Sequence, residues 1–274
     1  MNADSVREKI QRKLDQVSRR WWLYPLLLLL LFVPSYAAKG CDPKDRMDLV
    51  LQVLSHPLIY TLPVLMPIAK VIPIVLIVGV MACGNKLRRA FNGYVALLHL
   101  AFAFFQNMAV TDKYGLAIAS GNLALILVVA LAWIWEVFAE RNDLTPRQRP
   151  LWAWWVAPLA ALALLAPIDA KTNAPDFSPL VLLANESGLT YCMMTPVILS
   201  VLNLFYPTVN LAVLRVSSFV GIIFALINVT MWFVVMPSGW WMGVLHIPLL
   251  VISVCAFVIA QHKLCDGGAD AQLT

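Results

Sequence analysis

Residues 216–261 read VSSFVGIIFALINVTMWFVVMPSGWWMGVLHIPLLVISVCAFVIAQ and contain no Asp, Glu, Lys or Arg. One membrane-spanning helix needs about 20 mostly apolar residues at a rise of about 1.5 Å per residue. The stretch is 46 residues long, which is too long for a single crossing. Pro237-Ser238-Gly239 supplies a turn near its middle, so the stretch predicts two consecutive spans.

The composition of the whole chain agrees with this segment. Of 274 residues, 61% are hydrophobic and 13% are charged, whereas soluble domains are about 45–50% apolar and about 25% charged. A bilayer accommodates such a chain because helices satisfy their own backbone hydrogen bonds there. The net charge is +5, but the basic residues lie in short loops between apolar runs. The sequence has no basic face with interleaved aromatic residues, which is the pattern that would predict nucleic-acid binding. The expected partner is therefore the lipid bilayer.

The span criterion predicts an all-α integral membrane protein with eight transmembrane helices. They are Trp21–Ala38, Leu58–Cys83, Phe91–Val110, Gly115–Phe138, Leu151–Ile168, Leu189–Val209, Val216–Met236 and Trp240–Ala260. With the N-terminus in the cytoplasm, segments on that side hold 14 Lys and Arg, against 5 on the other side. Since cytoplasmic loops carry the excess of basic residues, we expect a prokaryotic cytoplasmic membrane with both termini in the cytoplasm.

Residues 1–20 predict a basic amphipathic helix. Ser5 and Glu8 have the spacing of a capping box. An apolar stripe runs along the helix at the positions Val6, Ile10, Leu14 and Val17. We expect the helix to lie on the inner leaflet, and a solvated basic tail is the alternative.

The two halves of the chain resemble each other at an offset of about 130 residues. Trp21-Trp22-Leu23-Tyr24-Pro25 matches Trp154-Trp155-Val156-Ala157-Pro158, and Pro34 and Pro167 follow at the same distance. The nearly constant offset predicts an internal repeat. Residues 21–140 and 150–261 would then be parallel repeats of four spans each, related by an axis near the membrane normal. Residues 262–274 would form a cytoplasmic tail.

The start of the chain also resembles a signal peptide. Basic residues precede Leu26–Leu31, and Ser35-Tyr36-Ala37 offers a small-residue cleavage site. The repeat pairs this first span with the fifth span, which is internal and cannot be a cleaved leader. We therefore expect the first span to be retained.

Lys70 is the most informative polar residue. It lies in a predicted span that contains Pro63, Pro67 and Pro73, and a charge inside the bilayer costs at least about 2.5–3.5 kcal/mol. The repeat pairs Lys70 with Asn203 at an offset of 133 residues. Two broken helices with one polar group each would suit a solute site between the repeats. A lysine bonded to a carbonyl freed by proline is the structural alternative.

Other intramembrane polar residues extend the set of candidates. Asn122 and Asn228 are predicted to line the same site, with interhelical hydrogen bonds as the alternative. His99 and His246 are weak candidates for haem or metal ligation. No metal-binding or haem-attachment motif occurs in the sequence, so no metal site is predicted and the cofactor is unknown. Glu136 lies near the end of a span, where an arginine partner is expected.

Cys41 and Cys192 fall on the same side of the predicted membrane. In an oxidising compartment they would be able to form a disulfide. Their geometry cannot be read from the sequence, so the pairing stays open.

Three functions are compatible with these residues. The first is a small-solute transporter with a polar site between the repeats, which would take a small anionic solute because of Lys70. The second is a non-catalytic subunit or assembly factor that binds a membrane-protein partner. The third is a haem- or metal-binding membrane enzyme. The sequence has no phosphate-binding loop, dinucleotide fingerprint or nucleophile elbow, which favours a non-enzymatic function.

Overall fold

The computed structural model describes residues 3–61, 64–169 and 172–262. Pro63, Lys171, Lys263, Cys265 and all but the first residue of the predicted tail 262–274 lie outside the described residues. The described chain is mostly helical. Its α-helices are α1 Ala3–Ser18, α2 Leu23–Leu29, α3 Arg46–Ser55, α4 Leu65–Cys83, α5 Arg88–Ala101, α6 Ser120–Ala139, α7 Val156–Leu165, α8 Pro179–Ala184, α9 Tyr191–Phe205, α10 Leu211–Thr230 and α11 Trp240–Gln261.

Several short segments extend or join these helices. A 3₁₀ turn, Leu30–Phe32, continues α2, and another, Glu186–Leu189, precedes α9. Both α5 and α10 end in a π-helical turn, at Phe102–Gln106 and Met231–Val235. Pro237–Gly239 forms the turn between α10 and α11, as the sequence predicted.

Four helical segments are long and apolar enough to cross a membrane: Leu65–Lys86, Ser120–Ala139, Leu211–Val235 and Pro237–Gln261. A fifth crossing is counted if the pair Pro179–Leu189 and Tyr191–Phe205, bent by 87°, is one broken span. The predicted spans near Trp21 and Leu151 correspond to shorter apolar helices, Leu23–Phe32 and Leu151–Leu165. The described chain therefore carries four or five candidate spans by length and composition.

A small antiparallel sheet corrects the all-α prediction. Its strands are β1 Tyr36–Ala37, β2 Met108–Thr111 and β3 Gly115–Ile118, in the order β1-β3-β2. The predicted spans Phe91–Val110 and Gly115–Phe138 therefore end and begin in strands. Gly115, with a φ of +67°, provides the left-handed conformation that the tight turn between β2 and β3 requires.

The sheet and α3 form a separate small core at one end of the bundle. Leu49 and Val53 of α3 pack against Ala109, Tyr114 and Ala117. Outside this core, Asp48 accepts hydrogen bonds from the Tyr114 hydroxyl and the Lys113 ammonium, which lower the pKa of its carboxyl group. We call this the sheet end, and the opposite end, which carries α1, the α1 end.

Helix α1 presents its polar side to the bundle. Gln11 and Ser18 are buried, while the apolar stripe stays open, with Ile10, Leu14 and Val17 each about 40% exposed. A helix with its polar face on protein and its apolar face outward is suited to the membrane interface. Within the predicted residues 1–20, the structure has an α-helix over Ala3–Ser18; its position on the inner leaflet stays a prediction.

Close backbone contacts at glycines hold the short segments against the long helices. A Cβ atom at Gly188 would lie 2.7 Å from the backbone of Ala69, so the 3₁₀ turn before α9 sits directly on α4. A Cβ atom at Gly93, within α5, would meet nothing within 4 Å. The two positions form a matched pair for testing this contact.

We expect Gly188→Ala to lower the thermal unfolding midpoint in detergent, because backbone must move and overpacking typically costs about 1–3 kcal/mol. Gly93→Ala should leave the midpoint unchanged or raise it, since alanine favours a helix by about 0.5–1 kcal/mol over glycine. Circular dichroism melting of the two variants measures both effects. Equal midpoints for the two variants would contradict the Gly188–Ala69 contact.

Candidate functional site: a buried polar column

The carboxylate of Glu136 is the centre of a buried polar network at the α1 end. Its side chain is 0% exposed. One carboxylate oxygen accepts from Asn92 Nδ2 at 3.3 Å and from the Asn142 backbone N–H at 2.7 Å, and the other accepts from Asn210 Nδ2 at 2.6 Å. These donors belong to α5, to the loop after α6 and to the residue before α10. One side chain thus joins three separate segments.

The asparagines of this network are also bonded to one another. Asn142 Nδ2 donates to Asn92 Oδ1 at 3.1 Å, and the Asn210 backbone N–H donates to Asn142 Oδ1 at 2.8 Å. Asn210 in turn caps the first turn of α10 by accepting from the Ala212 N–H. Each amide therefore has a fixed orientation, because reversing any of them would place two donors or two acceptors together.

Helix α1 closes the network from outside the bundle. Gln11 exchanges two hydrogen bonds with the Asn210 side chain, at 3.0 and 3.2 Å, and accepts from Trp135 Nε1 at 2.8 Å. Arg215, which is buried, donates to Ser18 Oγ of α1 and to the carbonyl of Ala260 near the end of α11. These bonds fix α1 across the end of the bundle.

Three arginines of this end, Arg88, Arg89 and Arg147, pair with partly buried loop carboxylates instead of Glu136. Arg88 and Arg89 both donate to Glu140, and they hold the pKa of that carboxyl below its usual value. Hydrogen bonds from Thr145 and Asn85 lower the pKa of Asp143 to about 2. The expected arginine partner of Glu136 is thus replaced by amide donors in the structure.

A polar stripe continues from this network along α5. Asn92, His99 and Gln106 follow one another at intervals of seven residues, which is two helical turns, and all three are buried. They span roughly 20 Å at about 1.5 Å per residue. Gln106 accepts a hydrogen bond from the Tyr191 N–H at the start of α9, at 2.9 Å. The stripe therefore runs from the α1 end to the sheet end.

Side chains of α6, α9 and α10 surround His99. We call them, together with the stripe, the column; they are Trp133, Tyr191, Thr195 and Ser217. Trp133 lies nearly parallel to the His99 ring, with centroids 6.4 Å apart, and its Nε1 donates to Ser217 Oγ of α10 at 3.1 Å. Tyr191 of α9 packs edge-on to His99 at 5.7 Å, and Thr195 lies one turn further on the same helix. Both of these side chains are buried.

The hydrogen bond of His99 defines its tautomer. Nδ1 lies 2.8 Å from the carbonyl of Val95, and a carbonyl oxygen only accepts, so Nδ1 carries the proton. In the neutral ring Nε2 then has a free lone pair. In the described chain, His99 Nε2 is buried without a hydrogen-bond partner, and the buried Tyr191 and Thr195 hydroxyls lie close enough to interact with each other. The middle of the column thus offers one acceptor and two hydroxyl groups.

A polar cavity of about 520 Å³ opens beside the Glu136 network. We call it the vestibule. Its lining includes Gln11 and Asn210 of the network, the cations Arg12, Arg19 and Arg141, and the acids Glu8 and Asp15. Arg12 lies 3.4 Å from Glu8 and Asp15 lies 4.0 Å from Arg215. Arg19 and Arg141 also line the cavity and form no ion pair within 4.0 Å in the described part of the chain.

Lys70 belongs neither to the column nor to the lining of the vestibule. It is 2% exposed, and its ammonium donates to the carbonyl of Leu165 at 3.1 Å and to that of Leu182. These carbonyls belong to the ends of α7 and α8, where backbone acceptors lack helical partners. Asn185 donates to the same α7 end, at Leu165 and Ala166. A cation at helix C-termini is electrostatically favourable.

The structure does not bring Lys70 and Asn203 together. Ala69 contacts Gly188 at the start of α9, whereas Asn203 is the thirteenth residue of that helix, about 18 Å further along its axis. Both polar atoms of the Asn203 amide are buried without a partner in the described chain. Asn122 lies half-buried in the first turn of α6, near the sheet end.

Asn228 and His246 lie in other surroundings. Asn228 donates to the Phe224 carbonyl and approaches Cys192 Sγ at 3.7 Å, next to Tyr191 of the column. His246 Nδ1 lies 2.7 Å from the Met242 carbonyl, so His246 has the same tautomer as His99.

No group of three or more His, Cys, Asp or Glu able to hold a metal occurs within residues 3–61, 64–169 and 172–262. Cys41 and Cys192 are both free, so they do not form the disulfide that the sequence left open.

No known protein family, curated protein or solved structure matches this chain. The column therefore has to be interpreted from its own chemistry.

We expect Glu136→Gln to lower the unfolding midpoint in detergent. The new amide would point a donor at Asn210 Nδ2 or at the Asn142 N–H, and a buried group without a partner costs about 1–3 kcal/mol. Glu8→Gln is the control, because it removes an exposed ion pair worth at most about 1 kcal/mol. If both variants unfold at the wild-type temperature, the network does not stabilise the bundle.

Lys70→Met should also destabilise the protein, since it leaves helix-end carbonyls without their charged donor, at a cost of about 1–3 kcal/mol. Lys39→Met is the matched control, because Lys39 also donates to a carbonyl, that of Asp112, but in an exposed position. Thermal melting compares the two. An unchanged midpoint for Lys70→Met would favour a ligand-binding role for Lys70 over a structural one.

Proposed function

We propose that this protein is a small-solute transporter of the cytoplasmic membrane, whose path follows the polar column between its two halves. The observation that carries the proposal is the buried stripe formed by Asn92 and His99 of α5 and by Gln106 of the π-helical turn that follows, which runs through the bundle core beside Glu136. Polar and ionisable residues inside a membrane are expensive. They are typical of solute and proton pathways that face a bundle interior or a wet cavity.

The order of the elements supports a repeat on each side of this column. Each half begins with two short helices, α2 and α3 or α7 and α8, and a 3₁₀ turn follows. Three longer helices come next, α4 to α6 or α9 to α11. The middle one of the three, α5 or α10, ends in a π-helical turn. We propose that α2–α6 and α7–α11 are parallel repeats, with α2 and α7 completing an eight-helix arrangement. The column then lies between α5 and α6 of one half and α9 and α10 of the other, where transporters with parallel repeats place their sites.

The charges of the vestibule suggest both the orientation and the solute. Basic residues concentrate at the α1 end, so we assign that end and both termini to the cytoplasm. Arg19 and Arg141 line the vestibule without an ion-pair partner in the described chain, and guanidinium groups bind carboxylates and phosphates in a planar, bidentate manner. A small anionic solute, which the sequence suggested from Lys70, is therefore the proposed cargo, with its first contact at the vestibule.

Glu136 and Gln11 would separate the vestibule from the middle of the column. A buried carboxylate held by amide donors repels an anion until it is protonated or its partners move. We therefore propose that α1, through Gln11, and Glu136 form the cytoplasmic barrier of the pathway. His99 Nε2 and the Tyr191 and Thr195 hydroxyls would then provide the central polar contacts.

A haem- or metal-binding enzyme is the second candidate. Both His99 and His246 have protonated Nδ1 atoms bonded to a backbone carbonyl, which is how ligating histidines are usually oriented. A visible absorption spectrum and a metal analysis of the purified protein separate this candidate from the transporter. A stoichiometric haem or metal would favour the enzyme.

A cysteine accessibility experiment tests the transporter proposal without knowledge of the solute. In a chain without native cysteines, Ser217→Cys places a thiol in the column, and Ala256→Cys places one in an equally buried part of α11. The protein is reconstituted into liposomes and treated with a charged methanethiosulfonate. We expect Ser217→Cys to react at least about tenfold faster, because a pathway admits water and ions whereas a packed core does not.

Mass spectrometry of the labelled protein gives the two rates. Equally slow labelling of both cysteines would show that the column is as dry as the rest of the core. That result would overturn the transporter proposal and favour a structural subunit of a larger membrane complex.

A further inference from the structure

The face that helix α1 turns away from the bundle is apolar and has a basic edge. Ile10, Leu14 and Val17 form its apolar stripe. Lys9 and Lys13 each precede a residue of this stripe by one position in successive turns, so they lie along one of its edges. Both lysines are exposed, and neither belongs to the ion pairs that the described part of α1 forms within 4.0 Å.

Two acids of α1 lie on its other side. Glu8 and Asp15 line the vestibule together with Gln11. Gln11 Nε2 donates to Asp15 at 3.2 Å, and Asp15 lies 4.0 Å from Arg215. These carboxylates are turned toward the bundle and the two lysines away from it. An open apolar stripe bordered by lysines is complementary to the headgroup region of a membrane that contains anionic lipids.

Few side chains hold α1 in its place. Over Asp4–Ser18, only Gln11 and Ser18 are buried. A helix of 16 residues is marginal in water by itself, so a second surface is needed to order it. Trp21 and Trp22 follow α1 directly and are 78% and 44% exposed. Exposed tryptophans are typical of the membrane interface, which makes the membrane that second surface.

The inner face of α1 lies between the vestibule and the Glu136 network. Gln11 exchanges two hydrogen bonds with Asn210, and Asn210 Nδ2 donates to Glu136 at 2.6 Å. Gln11 and Asn210 both line the vestibule, whereas Glu136 is 0% exposed. Moving α1 outward would therefore open the vestibule toward the buried carboxylate.

We propose that α1 is a lid over the Glu136 network and that anionic lipid headgroups at the α1 end hold it closed. The proposal concerns the regulation of the pathway proposed above and rests on it, but closure of the lid is measured without transport. An anionic leaflet orders α1 as a helix and keeps Gln11 beside Asn210, so the two groups meet at a high effective concentration. Each lysine near an anionic surface strengthens binding about fivefold.

Hydrogen–deuterium exchange of the full chain in nanodiscs tests the lid. The discs contain phosphatidylcholine alone or an equal mixture with phosphatidylglycerol of the same chain length. We expect the amides of Ala3–Ser18 to exchange at least about tenfold more slowly in the anionic discs, because two lysines contribute. Lys9→Gln combined with Lys13→Gln should remove this difference. Lys44→Gln combined with Arg46→Gln, which removes the same charge from exposed positions at the sheet end, should keep it.

Gln11→Ala separates closure from lipid binding. Residues 207–211, which line the vestibule, should exchange faster in this variant in both lipids, while Ala3–Ser18 keeps its lipid dependence. Unchanged exchange of residues 207–211 would overturn the lid.

Equal exchange of Ala3–Ser18 in the two lipids, or a lipid effect that persists without Lys9 and Lys13, would overturn the role of anionic headgroups. Protection of α1 that requires a second, co-purified protein would assign its outer face to that protein and would overturn the proposal as well. Exchange of α1 is independent of the labelling rate of Ser217→Cys, so failure of the lid and failure of the pathway are distinguishable.

Discussion

The carboxylate of Glu136 must receive hydrogen bonds, because a charged or polar group left without partners in an apolar bundle costs several kcal/mol. Its donors come from Asn92 of α5, Asn142 of the loop after α6 and Asn210 before α10. Satisfying this one group therefore fixes the loop after α6 and the start of α10. The packing of α6 against α5 and α10 depends on the same bonds.

A second constraint acts at helix ends that are buried in the bundle. Their last carbonyls lack helical partners and cannot reach water. Lys70 supplies donors to the ends of α7 and α8, and Arg215 supplies one near the end of α11. These two cations come from α4 and α10, so each also holds a long helix against a shorter or neighbouring one. Both buried cations therefore act as hydrogen-bond donors to carbonyls near helix ends.

The sequence allowed the helical membrane class to be predicted, because Val216–Gln261 and the turn at Pro237 depend on local composition alone. The burial of Lys70 also followed from its position in an apolar run. The sheet was missed because Met108–Val110 and Gly115–Ile118 are as apolar as the helices beside them, and the turn at Gly115 was their only local signal. Glu136 was misjudged because its partners, Asn210 foremost, lie far away in the chain. The seven-residue spacing of Asn92, His99 and Gln106 was visible in the sequence and would have predicted the column.

Helix α1 links the buried network to the membrane surface. Its polar face holds Gln11 against Asn210, and its apolar stripe, with Ile10 and Leu14, stays open on the other side. If that stripe sits in the headgroup region, the free energy of its burial acts through α1 on the bonds of Gln11. Withdrawal of α1 would remove both hydrogen bonds between Gln11 and Asn210 and would take away the acceptor of Trp135 Nε1, whereas Asn210 would keep its bond to Glu136. The same helix also walls the vestibule, so the position of α1 sets the shape of that cavity as well as the bonds of Gln11.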